Sequence, residues 1–262
     1  MLLRSASLLA FVACAASNEA IPARSDLARP EAAPVEEDRV ASPDPASSPD
    51  PATSAPPGST STAADGSTKP LPAKTTVLHV GDSFVHSGLT QRLKEVLSAE
   101  GVRLVARAEH STNSLDWAKR LPDEVASTQP DLVIVTLGGN EIASKHLDVQ
   151  ARAIRKIVAT IGDRPCVWTT PPLWRSEDGL FDTLQANVAP CRFFETDRHV
   201  GQYLPRRADK IHPTAEGGAL WADALLSYLR RERVGEPRPW TLSPAPETER
   251  KPAGLRAPLP LP

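Results

Sequence analysis

"VLHVGDSFVHSG", residues 77–88, is the stretch on which the fold turns. A short apolar run, Val77 to Val80, breaks at Gly81-Asp82-Ser83. That pattern reads as a buried strand turning directly toward a helix. Ser83 then has two readings. It can cap a helix, since serine and aspartate are favoured N-caps, or it can be a nucleophile held at the mouth of a pocket. The surrounding chain decides between them.

Outward from this stretch the same alternation repeats. Residues 75–80, 102–107, 131–137, 166–170 and 191–196 read as strands, each short and rich in β-branched or aromatic residues. Residues 89–101 carry Leu89, Leu93, Val96 and Leu97 on one helical face, with Gly101 as a stop signal. Residues 147–162 repeat the pattern with Val149, Ala153, Ile154, Ile157 and Ile161 and end at Gly162. The last helical pattern, residues 213–232, opens on Pro213 and turns Leu220, Ala224, Leu225 and Leu229 inward. Strands alternating with helices imply an α/β fold, a five-stranded parallel sheet in a three-layer α/β/α sandwich. Ligands of such sheets collect at the carboxyl ends of the strands.

Composition bounds the folded unit. Of the 27 prolines, 11 lie in residues 15–73 and 8 follow Val234. Residues 74–234 hold nearly all of the periodic apolar pattern and make one domain of ordinary size. Residues 15–73 lack the apolar content to offset chain entropy and read as a disordered Pro/Ser/Ala-rich linker. Residues 235–262 read as an extended, Pro-rich tail, with Trp240 and Leu242 able to fold back. The net charge of −2 and the absence of a Lys/Arg stripe exclude the footprint of a nucleic-acid binder.

Residues 1–14, "MLLRSASLLAFVAC", have the proportions of a signal sequence and are too short to span a bilayer. "FVAC" resembles the lipobox of bacterial lipoproteins, which implies lipidation of Cys14 and an exported, lipid-anchored protein in the periplasm or on the cell surface. Phenylalanine stands there in place of the usual leucine; an ordinary secretory signal is the other reading. As a flexible coil the linker would hold the domain on the order of 45 Å from the membrane. Export permits a disulfide between Cys166 and Cys191, each at the start of a predicted strand; two free thiols are the alternative.

Four predicted strand ends carry chemistry. Gly81-Asp82-Ser83 follows the first strand, "AEHSTNS" with Ser111 the second, Gly138-Gly139-Asn140-Glu141 the third, and "ADKIHPT" with Asp209 and His212 precedes the last helix. A serine hydroxyl needs a neighbouring base, and an imidazole near neutrality can take its proton and later protonate a leaving alcohol. Asp209, three residues before His212, can fix its tautomer. The Asn140 amide and the backbone N–H groups of Ser83 and Ser111 can serve an oxyanion. Gly138 and Gly139 allow a sharp turn close to a ligand.

These blocks resemble the SGNH/GDSL hydrolase family. "GDS" matches the first block, "GGN" the third and "DKIHP" the fifth, in order, across residues 77–229. The resemblance implies a flavodoxin-like fold, Ser83 as nucleophile, His212 as base, Asp209 as its orienter, and an oxyanion hole that includes Asn140 and Gly139. Two positions depart from the pattern. Ser111 stands where the second block carries glycine, and a positive φ there would be strained. Glu141 follows Asn140 where aspartate is frequent. Val85 stands two residues after Ser83, against the Gly-x-Ser-x-Gly elbow of α/β-hydrolases.

The expected function is a serine esterase that hydrolyses carboxylic esters through an acyl-enzyme. Its expected substrates are short-acyl, chiefly acetyl, esters of cell-envelope or extracellular carbohydrate. Lipase, lysophospholipase or thioesterase activity, acyl transfer to another hydroxyl, and a non-catalytic carbohydrate- or envelope-binding lipoprotein are the alternatives. No cofactor and no metal are expected, since His79, His86, His110, His146 and His199 lack metal-ligand spacing. His86 and His110, close in sequence to Ser83 and Ser111, are candidates to line the pocket. Trp174 is a candidate wall for a sugar or acyl chain, and Trp221 a core residue. The protein is expected to act as a monomer, meeting the membrane only through its anchor.

Overall fold

The computed structural model describes residues 69–260. Cys14, the signal of residues 1–14 and nearly all of the linker lie outside the described residues. Five parallel strands form one sheet in the order β2-β1-β3-β4-β5. They are β1 (Thr76–Gly81), β2 (Arg103–Ala108), β3 (Leu132–Thr136), β4 (Cys166–Thr169) and β5 (Arg192–Phe194). Side chains alternate between the two faces of a strand, and each face has its own core. Leu78, Val80, Val133, Val135, Trp168 and Phe193 bury toward α2 (Ser114–Thr128), α3 (Leu147–Ile161) and α4 (Leu180–Asn187). Val77, Leu132, Ile134, Val167 and Phe194 bury toward α1 (Leu89–Ala99) and α6 (Ala215–Glu232). Burial on both faces explains why the strands read as near-continuous apolar runs.

The order of strand addition reverses between β1 and β3, which makes their carboxyl ends the switch point where such sheets bind ligands. Two glycines allow the close packing there. A Cβ on Gly81 would stand 2.1 Å from Thr136 O, and one on Gly218 would stand 2.0 Å from Ser87 O, where α6 presses on the segment before α1. Among the described residues no helix is long and apolar enough to cross a membrane.

The structure adds elements that periodicity did not reveal. Helix α2 follows β2 and holds Pro122 in its interior, a residue that argues against a helix when read locally. Its start is secured by Asn113, whose side chain accepts from Leu115 N and Asp116 N in a capping box. Helix α4 and the short α5 (Thr196–Val200) flank β5, which is only three residues long. Cys166 and Cys191 are joined by a disulfide at the starts of β4 and β5, with Cα atoms 4.7 Å apart.

In the tail Trp240 and Leu242 do fold back onto the domain, while residues 251–260 carry no helix or strand. Trp240 is fully buried and donates to Thr75 Oγ1 at 2.8 Å. Leu242 forms a β-bridge with Arg233. Helix α7 (Glu247–Arg250) brings Glu249 to the buried Arg192, at 2.7 and 2.9 Å. Farther on, Arg256 bonds to Glu195 at 2.9 Å, Asp182 at 2.5 Å and Gln185 at 3.1 Å. Burying Arg192 requires acceptors, and Glu249 and Ser243 of the tail supply them beside Glu232.

Candidate active site

Ser83 opens a 3-10 turn (Ser83–His86) directly after β1. Asp82 caps that turn, its Oδ1 accepting from Phe84 N at 3.0 Å. Capping therefore falls to the aspartate and leaves the serine hydroxyl free. Ser83 Oγ lies 2.8 Å from His212 Nε2, and His212 Nδ1 lies 2.8 Å from Asp209 Oδ2. The other oxygen of Asp209 accepts from the backbone N–H groups of Ile211 at 2.8 Å and His212 at 3.0 Å. The His212 hydrogen bond and these two backbone donors pull the Asp209 carboxyl down to about 2, below the usual carboxylate range. Aspartate and histidine are thus set in one turn, while the serine arrives from the far end of the chain.

His212 is held from behind by Phe84, with ring centroids 4.9 Å apart, and Phe84 stacks on Trp174 at 5.3 Å. Trp174 is half-buried, on the loop after β4. Gly139 admits this arrangement, because a Cβ there would stand 2.6 Å from the Phe84 ring. Arg206 ties the histidine loop to the same wall, donating to Leu173 O at 2.7 Å and to Ile211 O at 2.5 Å.

The β2 turn and the β3 turn meet beside Ser83. Ser111 has φ of +61°, in the left-handed region where glycine is favoured. Asn140 Nδ2 donates to Thr112 O at 2.7 Å and makes a long 3.3 Å contact with Asp82 Oδ2. Among the described residues no hydrogen bond engages the backbone N–H of Ser83 or of Ser111. Asp82 has no exposed surface, and burial raises its carboxyl to about 7 against the pull of the Phe84 amide. The Gly139 amide also opposes the effect of burial on the Asp82 carboxyl.

Sequence reasoning did not foresee how Glu141 is buried against the β2 turn. It is 3 % exposed and accepts from Ser114 N at 2.9 Å and Ser114 Oγ at 2.6 Å through one oxygen. Its position after Asn140 was the available signal. His86 and His110 stack at 5.4 Å, both exposed, one following Ser83 by three residues and one preceding Ser111. His79 is fully buried in β1, where burial lowers it to about 3, and it bonds to Thr136 Oγ1 at 2.8 Å. Trp221 is buried and donates to Thr169 Oγ1 at 3.1 Å. Among the described residues no group of three or more His, Cys, Asp or Glu is placed to hold a metal ion.

Residues 79–220, more than half of the chain, match the GDSL-like Lipase/Acylhydrolase family. Protein BcsX of Komagataeibacter xylinus is 23 % identical over 204 residues, covering 60 % of this chain and 77 % of that protein. The psychrotrophic esterase EstA from Pseudoalteromonas sp. superposes with a TM-score of 0.50 at 16 % identity, over 60 % of this chain and 97 % of that one. A catalytic mutant of Axe2, an acetylxylan esterase from Geobacillus stearothermophilus, superposes with a TM-score of 0.51 at 16 % identity, over 66 % and 99 %. At such identities the superpositions speak for the fold.

Proposed function

The chain belongs to the GDSL-like lipase/acylhydrolase family and is a carboxylic ester hydrolase, and we propose that it acts through an acyl-enzyme on Ser83, on short-acyl esters of envelope or extracellular carbohydrate. The observation that carries the mechanism is the unbroken line Asp209–His212–Ser83, with both links at 2.8 Å. Ser83 Oγ forms a bond to the ester carbonyl carbon and passes its proton to His212 Nε2. The carbonyl π electrons move to oxygen. Collapse of that tetrahedral species expels the alcohol, which takes the proton from His212. A water then repeats the sequence and releases the acid. Asp209 stays ionised through neutral and mildly acidic pH and accepts the Nδ1–H, which keeps Nε2 basic toward the serine.

The free N–H groups of Ser83 and Ser111 are the backbone oxyanion donors in this reading. Asn140 supplies the third, through the amide hydrogen that makes only the long contact with Asp82. Two features support a small acyl group and a carbohydrate alcohol. Trp174 presents a half-buried ring stacked on Phe84, which in turn packs on His212, and a sugar can stack on such a ring. Among the described residues no loop over the strand ends carries an apolar segment long enough to cover a fatty-acyl chain. Export and lipidation at Cys14 belong to the same proposal, and the Cys166–Cys191 disulfide supports an oxidising compartment.

Turnover of p-nitrophenyl acetate, butyrate and octanoate, alongside an acetylated oligosaccharide, tests the reading. Acetyl esters are expected to be preferred, and Ser83→Ala to abolish both turnover and labelling by a fluorophosphonate. Undiminished turnover in Ser83→Ala sinks the mechanism. A preference for octanoate moves the substrate to lipid. A labelled lipid on Cys14, lost in Cys14→Ser, tests the anchor.

A further inference from the structure

Ser111 holds a backbone conformation that a side chain disfavours, φ +61°, and among the described residues its hydroxyl makes no hydrogen bond that would reward it. The restraint comes from its neighbours. Thr112 Oγ1 closes the turn by donating to Glu109 O at 2.7 Å, and it accepts from Trp117 Nε1 at 3.0 Å. Asn140 grips Thr112 O at 2.7 Å. On the other side Ser114, the first residue of α2, gives both its N–H and its hydroxyl to Glu141 Oε1. Two adjacent residues of the β3 turn therefore clasp the β2 turn just beyond Ser111. Ser111 cannot relax toward negative φ without pulling on one of these bonds.

Glu141 is an expensive way to make that clasp unless the clasp matters. Among the described residues its second oxygen, Oε2, is buried with no hydrogen-bond partner. An orphaned carboxylate oxygen in the interior is disfavoured, and such an atom in a folded protein calls for a reason. Asp82, a second carboxylate with no exposed surface, stands close enough to feel its charge, which adds to the cost. The compensation is local. Glu141 meets the first backbone N–H of α2, where a helix terminus favours a negative group.

We propose that Glu141 is a positioning residue, which locks the Ser111 N–H into the oxyanion hole by anchoring Ser114 and so holding the left-handed turn before it. The proposal rests on the esterase reading above. Glu141 touches no substrate and acts through Ser111.

The test compares full-length wild type with Glu141→Ala, Glu141→Gln, Ser111→Gly and the Ser111→Gly/Glu141→Ala pair on p-nitrophenyl acetate. Glu141→Ala is expected to lower kcat about 100-fold with KM little moved, as when one oxyanion donor is lost. Glu141→Gln keeps an acceptor for Ser114 and is expected to recover most of that loss. Adding Ser111→Gly to Glu141→Ala is expected to regain about tenfold or more, since glycine reaches this φ without being held. Ser114→Ala, which removes one bond of the clasp, serves if Glu141→Ala does not fold, with a smaller loss and the same rescue by Ser111→Gly. An unaltered kcat in Glu141→Ala overturns the proposal. A pair no better than Glu141→Ala alone overturns it too, because a merely structural lesion is not relieved at Ser111. Amide hydrogen exchange over residues 109–117 reads the clasp without any ester. If wild type hydrolyses nothing, the esterase reading has failed, and exchange left unchanged by Glu141→Ala overturns the clasp itself.

Discussion

Trp240→Ala measures how far the tail belongs to the fold. The indole is fully buried, shares a core cluster with Leu71, Leu97, Leu226 and Leu229, and donates to Thr75 Oγ1. Removing it leaves no orphaned donor, because the Thr75 hydroxyl still donates to Pro72 O at 2.5 Å. The cost is therefore that of lost burial and a cavity, about 3–5 kcal/mol for a tryptophan cut to alanine. In a folded unit of this size that corresponds to a fall in Tm of roughly 6–20 °C. Thermal unfolding followed by circular dichroism, paired with a urea titration, reads both values. The kcat measured well below the transition should not move. Trp240 meets the residue before β1, and Ser83 lies past its other end, about 20 Å away at the rise of a strand. A shift below about 2 °C, within the scatter for surface substitutions, would refute the docked tail.

Three further outcomes follow from the packing and the charges. Gly218→Ala places a Cβ 2.0 Å from Ser87 O and 2.6 Å from Gly88, backbone against backbone. It should cost roughly 2–3 kcal/mol in urea unfolding and lower kcat, since Ser87 ends the turn that carries Ser83. Replacing Cys166 and Cys191 together by alanine opens a crosslink spanning 25 residues and should cost about 3 kcal/mol. Wild type in dithiothreitol should then unfold at the same urea concentration as the variant. Asp82 has a folded-state pKa raised from the ordinary 3.8 to about 7 by burial, so the native state holds its proton longer than the unfolded chain. Its contribution to stability is greatest below pH 4 and declines as pH rises toward 7. Asp82→Asn should flatten that part of the profile, measured as urea midpoints from pH 4 to 8; parallel profiles would contradict the assignment.

Much of the candidate site was legible because it is local. Asp209 and His212 occupy one turn, and Asp82-Ser83 and Asn140 each follow a strand whose apolar run marks where it ends. Once the elements alternate, their carboxyl ends must share an edge, and the three segments converge. Ser111 was legible as a problem, a side chain where φ turned out to be +61°. What holds it was not legible. The clasp joins Glu141 to Ser114 across 27 residues, a relation with no periodic trace.

The chain by itself determined the layer order, the β1 turn and the residue types brought to the switch point, because hydrophobic period and turn chemistry act over a few residues. Tertiary structure alone decided the rest. Helix α2 runs through Pro122 because Trp117, Leu121 and Val125 bury one face, which outweighs a missing N–H. The tail is ordered because Trp240 and Arg256 find partners far back along the chain, at Thr75, Asp182 and Glu195. Composition counted its prolines and could not count those contacts. Burial and ion pairing depend on what lies nearby in space, and only the folded chain supplies that.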